Sequence, residues 1–498
     1  PMGNTGYNAT AGRVLAGEKG QLTIPPATSP STNKPNILFF LVDDLGWQDT
    51  SVPFANETTE LNRRYRTPAM ERLAAEGSKF TQAYTASPVC SPTRTSILSG
   101  KNPARSHITH WIPGESGGTP ESQKWANPVW NQNGLTPEDP TLPAALAAGG
   151  YQTAHLGKAH FGKQGTPGAD PTQLGFQVNI AGSHIGHPGS FLPPYGKIGH
   201  SHRVPDLDDL RNTSRYLNDA LTDKALAVLD GFATQPEGKP FFIHLAHYAV
   251  HTPIQGDPTL LDGYADNLTE AQRHYATMVE SFDRSLGRML DRLDELGLAE
   301  NTLVVFFSDN GALVTHGGPP THCEPLSGGK GTMREGGTRV PMLVRWPGHA
   351  LVGKEITTPM ISDDFFPTLM AAANLPMPAG EFDGISILPL LQNQPIAERT
   401  LLWHWPHYWA GKGLRDRWDF IQPFTSLRDG DWKITWRWDG QQAELFNLAE
   451  DLGEKNNLAE AHPQKRNQLL SQLRGRLQEV QAPRPRHHES LEPIAWPK

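Results

Sequence analysis

NILFFLVDD, residues 36–44, is a continuous apolar run that ends in two aspartates. Such runs are typical of strands that are buried on both faces of a parallel sheet. FFIHLAHY at 241–248 and NTLVVFFSDN at 301–310 share the pattern. Helical segments separate these strands, and the alternation predicts an α/β fold with a mostly parallel central sheet flanked by helices.

Oxygen-bearing side chains stand where two of these strands end. Asp43 and Asp44 follow the first strand, and Asp309 and Asn310 follow the third. Open α/β sheets bind their ligands beyond the carboxyl ends of the strands. Oxygen atoms gathered at that edge suit a hard cation. The alternative for each pair is an ordinary turn or helix cap.

PVCSPTRTSILSGK, residues 88–101, holds one of only two cysteines in the chain. Pro92 is suited to the first turn of a helix, which would place Cys90 at its N-terminus. A helix N-terminus lowers the pKa of a thiol and attracts anions. The pattern predicts that Cys90 is a nucleophile facing an anionic substrate, which Arg94, one turn away, helps to hold. The alternative is a buried structural cysteine.

Four motifs give the chain a family resemblance. CSPTR at 90–94, with ILSG after it, resembles the CxPxR signature of the type I sulfatases. GYQTAHLGKAH at 150–160 resembles the second signature of that family, HTP at 251–253 its PHxP element, and KGTMREGGTRVP at 330–341 its KGxxxEGGxRVP element. The resemblance covers most of the chain and implies a large domain with the alkaline-phosphatase-like fold.

The resemblance also implies a cofactor and a set of roles. Cys90 would be converted to formylglycine by a formylglycine-generating or an anaerobic sulfatase-maturating enzyme. Lys158, Lys330 and Arg94 would hold the sulfate, His251 would protonate the leaving oxygen, and His160 would help to expel sulfate. One Ca²⁺ would be bound by Asp43, Asp44, position 90, Asp309 and Asn310.

The chemistry of the predicted metal ligands bears on position 90. A hard cation held by carboxylate and amide oxygens is poorly matched to a soft thiolate and well matched to another oxygen. This mismatch is an independent reason to expect that the working residue at position 90 is no longer a cysteine.

Histidine-rich loops point to the substrate. The spacing of the histidines between 184 and 202 fits no usual zinc pattern, so contacts with substrate are favoured. Similar loops occur in sulfatases that act on sugars, which predicts a sulfated carbohydrate from an algal polysaccharide or a glycosaminoglycan, with galactose or N-acetylgalactosamine sulfate as the candidates. Packing is the alternative for several of these side chains. The predicted substrate contacts are His184, His247, His404 and His407.

Two other functions remain open at this stage. A phosphonate monoester or phosphodiester hydrolase shares the CxPxR motif and would act on a related anion. An inactive homologue that binds carbohydrate would keep an unmodified Cys90. Comparison of sulfate, phosphonate and phosphodiester substrates distinguishes the first, and the mass of the Cys90 peptide distinguishes the second.

Composition limits the class of protein. The chain has 498 residues and a net charge of −8 with scattered basic residues, which argues against nucleic acid as a partner. No apolar run reaches the roughly 18 residues that span a bilayer. The N-terminus lacks the basic and apolar regions of a signal peptide, and we expect the chain to be the mature or trimmed form of a periplasmic or secreted protein.

Changes in composition and residue pattern along the chain predict its division into domains. Residues 1–34 form an extended arm, and residues 35–397 form the catalytic domain. Residues 398–498 form a small C-terminal α+β subdomain, since alternating aromatic segments in it are typical of antiparallel strands.

Overall fold

The strand predicted from NILFFLVDD lies at the centre of a nine-stranded sheet. The computed structural model describes residues 34–114, 123–234, 238–264, 267–314, 319–409 and 422–498. Residues 1–33 of the predicted arm lie outside this part of the chain. In the described part the strand order is β4-β3-β5-β1-β6-β7-β2-β8, with β9 paired to β2.

The strands of this sheet alternate with helices along the chain. The strands are β1 Asn36–Val42, β2 Ser78–Tyr84, β3 Gln152–Gly157, β4 Val178–Ile180, β5 Phe241–Ala246, β6 Thr302–Ser308, β7 Arg339–Arg345, β8 Lys354–Ile356 and β9 Met360–Ile361. The helices are α1 Glu60–Arg64, α2 Pro68–Glu76, α3 Cys90–Ser99, α4 Pro103–Ser106, α5 Leu142–Ala148, α6 Leu217–Ala233, α7 Glu270–Glu295, α8 Glu335–Thr338, α9 Phe365–Ala372 and α10 Leu388–Leu391.

Most strands of the sheet are parallel, as predicted. β7 runs antiparallel to both of its neighbours, and the other described pairs are parallel. Ala246 of β5 pairs with Leu41 of β1 on one side and with Gly157 of β3 on the other. Val42 pairs with Ser308 of β6. The register therefore brings the segments that follow β1, β3, β5 and β6 to one edge of the sheet.

Both faces of β1 are buried, which explains its continuous apolar sequence. Leu38, Phe40 and Val42 point into a core that includes α2, α6 and α7. The residues between them belong to a second core, which includes α3, α5 and α9. Complete burial of each such side chain stabilises the fold by about 1.5–3 kcal/mol.

Helix α7 begins where its sequence predicts. The Thr269 Oγ1 accepts a hydrogen bond from the Gln272 backbone N–H (3.2 Å), and the Gln272 Oε1 accepts one from the Thr269 N–H (3.0 Å). This capping box satisfies two backbone donors at the helix N-terminus. Helix α6 starts after the buried Tyr216, whose hydroxyl donates to the Gln255 carbonyl (2.7 Å).

A separate antiparallel sheet follows the large sheet. Its strands are β10 Thr400–Trp405, β11 Phe424–Asp429, β12 Trp432–Arg437 and β13 Gln442–Asn447, and helix α11 Pro463–Glu479 shares a core with them. Lys34–Lys498 gather into one compact unit. The boundary between 397 and 398 therefore stays a prediction. No helix in the described residues has the length and apolar character required to cross a membrane.

Candidate active site

Helix α3 places Cys90 at the site. Its first residue is Cys90, after Val89 in an extended conformation, and Pro92 lies in the first turn as predicted. All ten residues are buried, so their polar side chains need internal partners. The Ser91 Oγ accepts from the Ile112 backbone N–H (3.0 Å), and Thr93 donates to the Ser87 carbonyl (3.1 Å).

The Cys90 thiol is protonated at neutral pH. Its Sγ lies 3.7 Å from Oδ1 of Asp43. Burial raises the pKa of Cys90 to about 12, although Lys158 and Lys330 act to lower it. The predicted lowering of this pKa by the helix N-terminus is therefore wrong, because the cost of burying a thiolate is larger than the stabilisation from the helix. An unmodified Cys90 is a poor nucleophile here.

Three carboxylates and three basic side chains are paired at the edge of the large sheet. The pairs are Asp43 with Lys158 (2.6 Å), Asp44 with Lys330 (2.6 Å) and Asp309 with Arg94 (2.7 Å). Burial raises the pKa of Asp43 well above its usual value. Burial also acts to raise the pKa of Asp44, but the adjacent Lys330 ammonium group outweighs it, and that pKa lies below its usual range.

Four side chains could together hold a metal ion. Ligand atoms of Asp43, Asp44, Cys90 and His251 lie within 4.8 Å of one another. Asp309 and Asn310, predicted as further ligands, are adjacent. The Asp44 backbone N–H donates to Oδ1 of Asp309 (3.2 Å), and Nδ2 of Asn310 donates to Oδ1 of Asp44 (2.7 Å). Asp44 has φ +61°, a left-handed conformation that costs about 1–3 kcal/mol and is typical of functional sites.

Hydrogen bonds determine which ring nitrogen carries the proton in two histidines at the site. His160 has φ +58°, and its Nε2 donates to the Ile112 carbonyl. Its Nδ1 is buried and has no hydrogen-bond partner in the described residues. Nδ1 of His251 donates to the Thr252 carbonyl (3.1 Å), which leaves its Nε2 3.7 Å from Oδ2 of Asp44. Burial lowers the pKa of both rings well below the usual value, so both are neutral at pH 7.

A cleft of about 520 Å³ opens above these groups. Cys90, His160, His251 and Lys330 line it, and Trp111 and Trp409 add two indole rings. No aspartate or glutamate of the described chain is among the lining residues. The cleft therefore favours an anion with an apolar or sugar-like body.

Comparison with known families assigns the chain. A family model described as Sulfatase matches residues 35–375, and a second model, N-sulphoglucosamine sulphohydrolase, C-terminal, matches residues 329–483. The chain belongs to the sulfatase family. The predicted activity as a sulfuric ester hydrolase is thereby confirmed.

Individual sulfatases are similar over most of their length. A sulfatase of Formosa agariphila is 29% identical, with 94% of this chain and 93% of the relative covered. The N-acetylgalactosamine-6-sulfatase of Homo sapiens is 30% identical, with 76% of this chain and 69% of the relative covered.

Solved structures confirm the alkaline-phosphatase-like fold. The crystal structure of Ps i-CgsB in complex with k-i-k-neocarrahexaose has a TM-score of 0.72 and 26% identity, with 89% of this chain and 93% of that chain covered. The phosphonate monoester hydrolase of Agrobacterium radiobacter, at 19% identity and a TM-score of 0.61 with 91% and 100% covered, shares the fold alone.

Arg94 is buried beneath the cleft of this sulfatase. Its side chain has 0% exposure and is absent from the cleft lining. Nε donates to Asp309 and NH1 donates to the Lys158 carbonyl (2.6 Å), so Arg94 fixes a metal-ligand candidate and the loop that carries Lys158. Its NH2 is buried with no hydrogen-bond partner in the described residues. The predicted contact of Arg94 with sulfate stays a prediction.

Three of the four predicted substrate histidines are buried away from the cleft. Nε2 of His247 bonds Ser285 (2.8 Å), Nε2 of His407 bonds Thr109 (2.8 Å), and Nε2 of His404 donates to the Pro483 carbonyl (2.6 Å). All three have 0% exposure, so the predicted substrate contacts are wrong for His247, His404 and His407. His404 lies in β10, His247 follows β5 and His407 follows β10, and all three rings are used for packing. His184 does line the cleft.

Two lining residues were not singled out from the sequence. Trp409 lines the cleft, and its ring lies against Gly331, where an added Cβ would be 2.3 Å from the ring. Lys163 adds a cation to the cleft wall and follows the second signature by three residues. The aromatic residues around 403–409 could have indicated a substrate-binding segment, but their pattern fits a packed strand equally well.

Proposed function

We propose that this sulfatase hydrolyses sulfate esters on carbohydrates derived from algal polysaccharides or glycosaminoglycans, with galactose or N-acetylgalactosamine sulfate as the first candidates. The observation that carries the proposal is the cleft, which Cys90, Trp111 and Trp409 line together and which no described aspartate or glutamate lines. Indole rings stack on the apolar faces of sugars. A relative named for N-acetylgalactosamine 6-sulfate and a similar structure that contains a neocarrahexaose support this substrate class.

The residues at the sheet edge fit one calcium ion. Asp43, Asp44, Asp309 and Asn310 offer oxygen donors, and Oδ1 of Asn310 is buried with no hydrogen-bond partner in the described residues. A buried, unpaired acceptor is costly unless a ligand satisfies it. A bound Ca²⁺ supplies positive charge that stabilises the negative charge on the transferred sulfuryl group. His251 offers nitrogen, which a hard cation disfavours, so we assign it to proton transfer.

We propose that position 90 works as formylglycine. As a hydrated aldehyde, this residue would offer one hydroxyl to attack sulfur while the bond from sulfur to the sugar oxygen breaks. Loss of the proton from its second hydroxyl would then break the carbon–oxygen bond to sulfate and restore the aldehyde. A buried thiol with a raised pKa beside hard oxygen donors supports this assignment. The modification needs a partner, either a formylglycine-generating enzyme or an anaerobic sulfatase-maturating enzyme.

The basic side chains bind and orient the sulfate group. Lys330 lines the cleft, and its ammonium group is placed to contact a sulfate oxygen. Lys158 lies behind it on Asp43, and Arg94 holds the carbonyl of Lys158. With three carboxylates and three basic groups, the ionised site has no formal charge of its own, so attraction of an anion depends on the added cation.

Histidines move the two protons of the reaction. The neutral His160 presents an unpartnered Nδ1 that can accept a proton from a hydroxyl group at position 90. A bound sulfate ester places negative charge beside His251 and so favours a proton on its Nε2. From Nε2 that proton is delivered to the departing sugar oxygen. Water is not needed to attack a covalent ester in this scheme.

Sulfate release from a panel of defined sulfated sugars tests the proposal. Galactose and N-acetylgalactosamine carrying sulfate at position 4 or 6 are compared with aryl phosphonate and phosphodiester substrates. We expect sulfate release from at least one sugar and loss of that activity in Cys90→Ala. Turnover of the phosphorus substrates without release from any sugar would contradict it.

We also propose a periplasmic or extracellular location. Polysaccharide fragments of this class occur outside the cytoplasm, and an enzyme that acts on them must meet them there. Fractionation of cells that express the full-length protein tests the location.

A further inference from the structure

A second cavity, of about 450 Å³, adjoins the active-site cleft. His187 and His202 line both cavities. Thr252 and Pro253, which follow His251 in the chain, line the second cavity as well. The second cavity therefore lies on the side of the site from which the sugar alcohol departs.

Three parallel imidazole rings connect the two cavities. The ring of His187 stacks on that of His251 with a centroid distance of 5.6 Å and an interplanar angle of 7°. The ring of His187 also stacks on that of His202, at 4.1 Å and 13°. The stack forms a continuous wall from the leaving-group histidine to the second cavity.

A braced turn carries the other basic residues of this cavity. Gly189 donates its backbone N–H to the His202 carbonyl (2.6 Å), and Val204 donates to the Tyr195 carbonyl (3.1 Å). These bonds fix the base of the turn, while residues 197–202 at its tip expose Lys197 and His200. The fixed base reduces the entropy lost when a ligand binds the tip.

The charges around this turn favour an anion. No aspartate or glutamate of the described chain lines the second cavity, although the protein carries a net charge of −8. Lys197 makes no ion pair within the described residues. Nearby acids already have partners: Asp208 pairs with Arg203, Asp209 with Lys224 (2.7 Å), and Asp206 accepts from the Ala181 N–H (3.0 Å).

We propose that Lys197, His200 and His202 form an outer anion subsite, and that the ring of His187, whose Nδ1 donates to the Pro188 carbonyl (3.0 Å), forms its wall. The subsite binds a sulfate or carboxylate substituent on the sugar unit that departs with the leaving oxygen. This inference rests on the proposed function and narrows it to oligosaccharides with at least two anionic groups. An ammonium group with imidazole donors beside it provides charge-assisted hydrogen bonds to such a substituent.

Three disaccharides test the subsite. Each carries the reactive sulfate on one sugar, and the other sugar, which departs as part of the same alcohol, carries a hydroxyl, a second sulfate or a carboxylate. The readout is kcat/KM for each dianionic substrate divided by kcat/KM for the monoanionic one. We expect a ratio of about five in the wild type, the upper range for an exposed ion pair. In the double variant Lys197→Gln, His200→Gln we expect about two or less.

The ratio cancels losses that both substrates share, such as partial misfolding. Lys455→Gln makes the same change of charge at an exposed position in the C-terminal region and should keep the wild-type ratio. A wild-type ratio near one, or one that the double variant leaves intact, overturns the subsite. Preference for the sulfate alone supports the subsite and identifies its ligand.

Calorimetry separates this proposal from the proposed function. The same disaccharides are titrated into Cys90→Ala, with and without the two turn substitutions. If the wild type hydrolyses none of the disaccharides but the ratio of their Kd values in Cys90→Ala depends on Lys197 and His200, the subsite stands and the proposed reaction falls. If hydrolysis occurs and neither ratio depends on them, the reaction stands and the subsite falls.

Discussion

The ammonium group of Lys330 contacts both carboxylate oxygens of Asp44, at 2.6 Å from Oδ1 and 2.8 Å from Oδ2. Lys330, which we propose binds sulfate, is thus paired with Asp44, which we propose binds the metal. A cation bound to Asp44 would compete for the same oxygens, and the weakened ion pair would leave Lys330 available for the anionic substrate. Metal binding and substrate binding are therefore expected to be coupled.

Calcium should stabilise the protein and support activity. At a free concentration about 100 times its Kd, a ligand that binds only the folded state adds about 2.7 kcal/mol of stability. We expect the Tm measured by scanning calorimetry to fall after chelation and to recover with Ca²⁺.

Two aspartate variants make this test specific. Asp44→Asn removes one carboxylate of the site and should reduce the calcium-dependent Tm shift by more than half. Asp431→Asn, at an exposed hairpin position, should keep the full shift. An identical shift in both variants would place the calcium elsewhere.

The two cysteines provide a matched comparison for the nucleophile. Cys90→Ala should reduce kcat at least about 1000-fold, because a nucleophile and the reaction path through it are lost. Cys323 is also buried, and its Sγ lies 3.6 Å from the Gly336 carbonyl. Cys323→Ala should cost about 1–2 kcal/mol of stability but keep most of kcat.

Steady-state kinetics and urea unfolding of both variants measure these effects. Mass spectrometry of the wild-type peptide that contains Cys90 reports conversion to the aldehyde. Equal loss of kcat in both variants would point to general destabilisation, and full activity of a protein with an unmodified Cys90 would refute the formylglycine assignment.

The sequence predicts those site residues that follow parallel strands. Asp43, Lys158, His251 and Asp309 lie within a few residues of the ends of four strands, and the register of β1 with β5 and β6 aligns those ends. Apolar runs locate such strands because burial on both faces leaves no polar position. Local pattern is therefore sufficient for this part of the site.

Other features depend on contacts between distant segments, and local pattern does not reveal them. Arg94 contacts Asp309, 215 residues away, and is buried by that contact. His407 reaches Thr109, 298 residues away, and faces the core instead of the cleft. The stack of His187 on His202 and His251 likewise requires two loops to meet. Composition showed histidines in these loops but not which of them face the substrate.

A buried ion-pair cluster should be important for stability. Nζ of Lys433 in β12 lies 2.9 Å from Glu335 and 3.0 Å from Glu454, and the three side chains are at most 1% exposed. Lys433→Met removes the ammonium group that two buried carboxylates share, although Arg339 stays 3.4 Å from Glu335, and should destabilise the protein by about 3–5 kcal/mol. Urea unfolding measures the change.

Lys465 is the matched control for this cluster. It pairs with Asp429 at 3.7 Å, with 26% and 34% of the side chains exposed. Lys465→Met should change stability by less than about 1 kcal/mol, since solvent screens the pair. Similar losses of unfolding free energy in the two variants would show that burial does not determine how much the Lys433 cluster contributes to stability.

Buried neutral histidines should make stability depend steeply on pH. Burial lowers the pKa of His404 to about 4, and that of His110 and His155 to about 3. In the unfolded chain these rings take up protons near pH 6.5, whereas in the folded protein they stay neutral to a lower pH. Their contribution is thus complete above pH 6.5 and is lost as pH falls toward 4.

The His404→Gln variant tests this sign. Each such ring should steepen the loss of unfolding free energy by about 1.4 kcal/mol per pH unit between pH 6 and pH 4. His404→Gln lowers stability at pH 8, because the Pro483 carbonyl and Thr425 lose their ring partner. Its slope below pH 6 should nevertheless be shallower by that amount in urea unfolding measured at each pH. His488→Gln, at an exposed position, should keep the wild-type slope, and a shallower slope there as well would contradict burial as the cause.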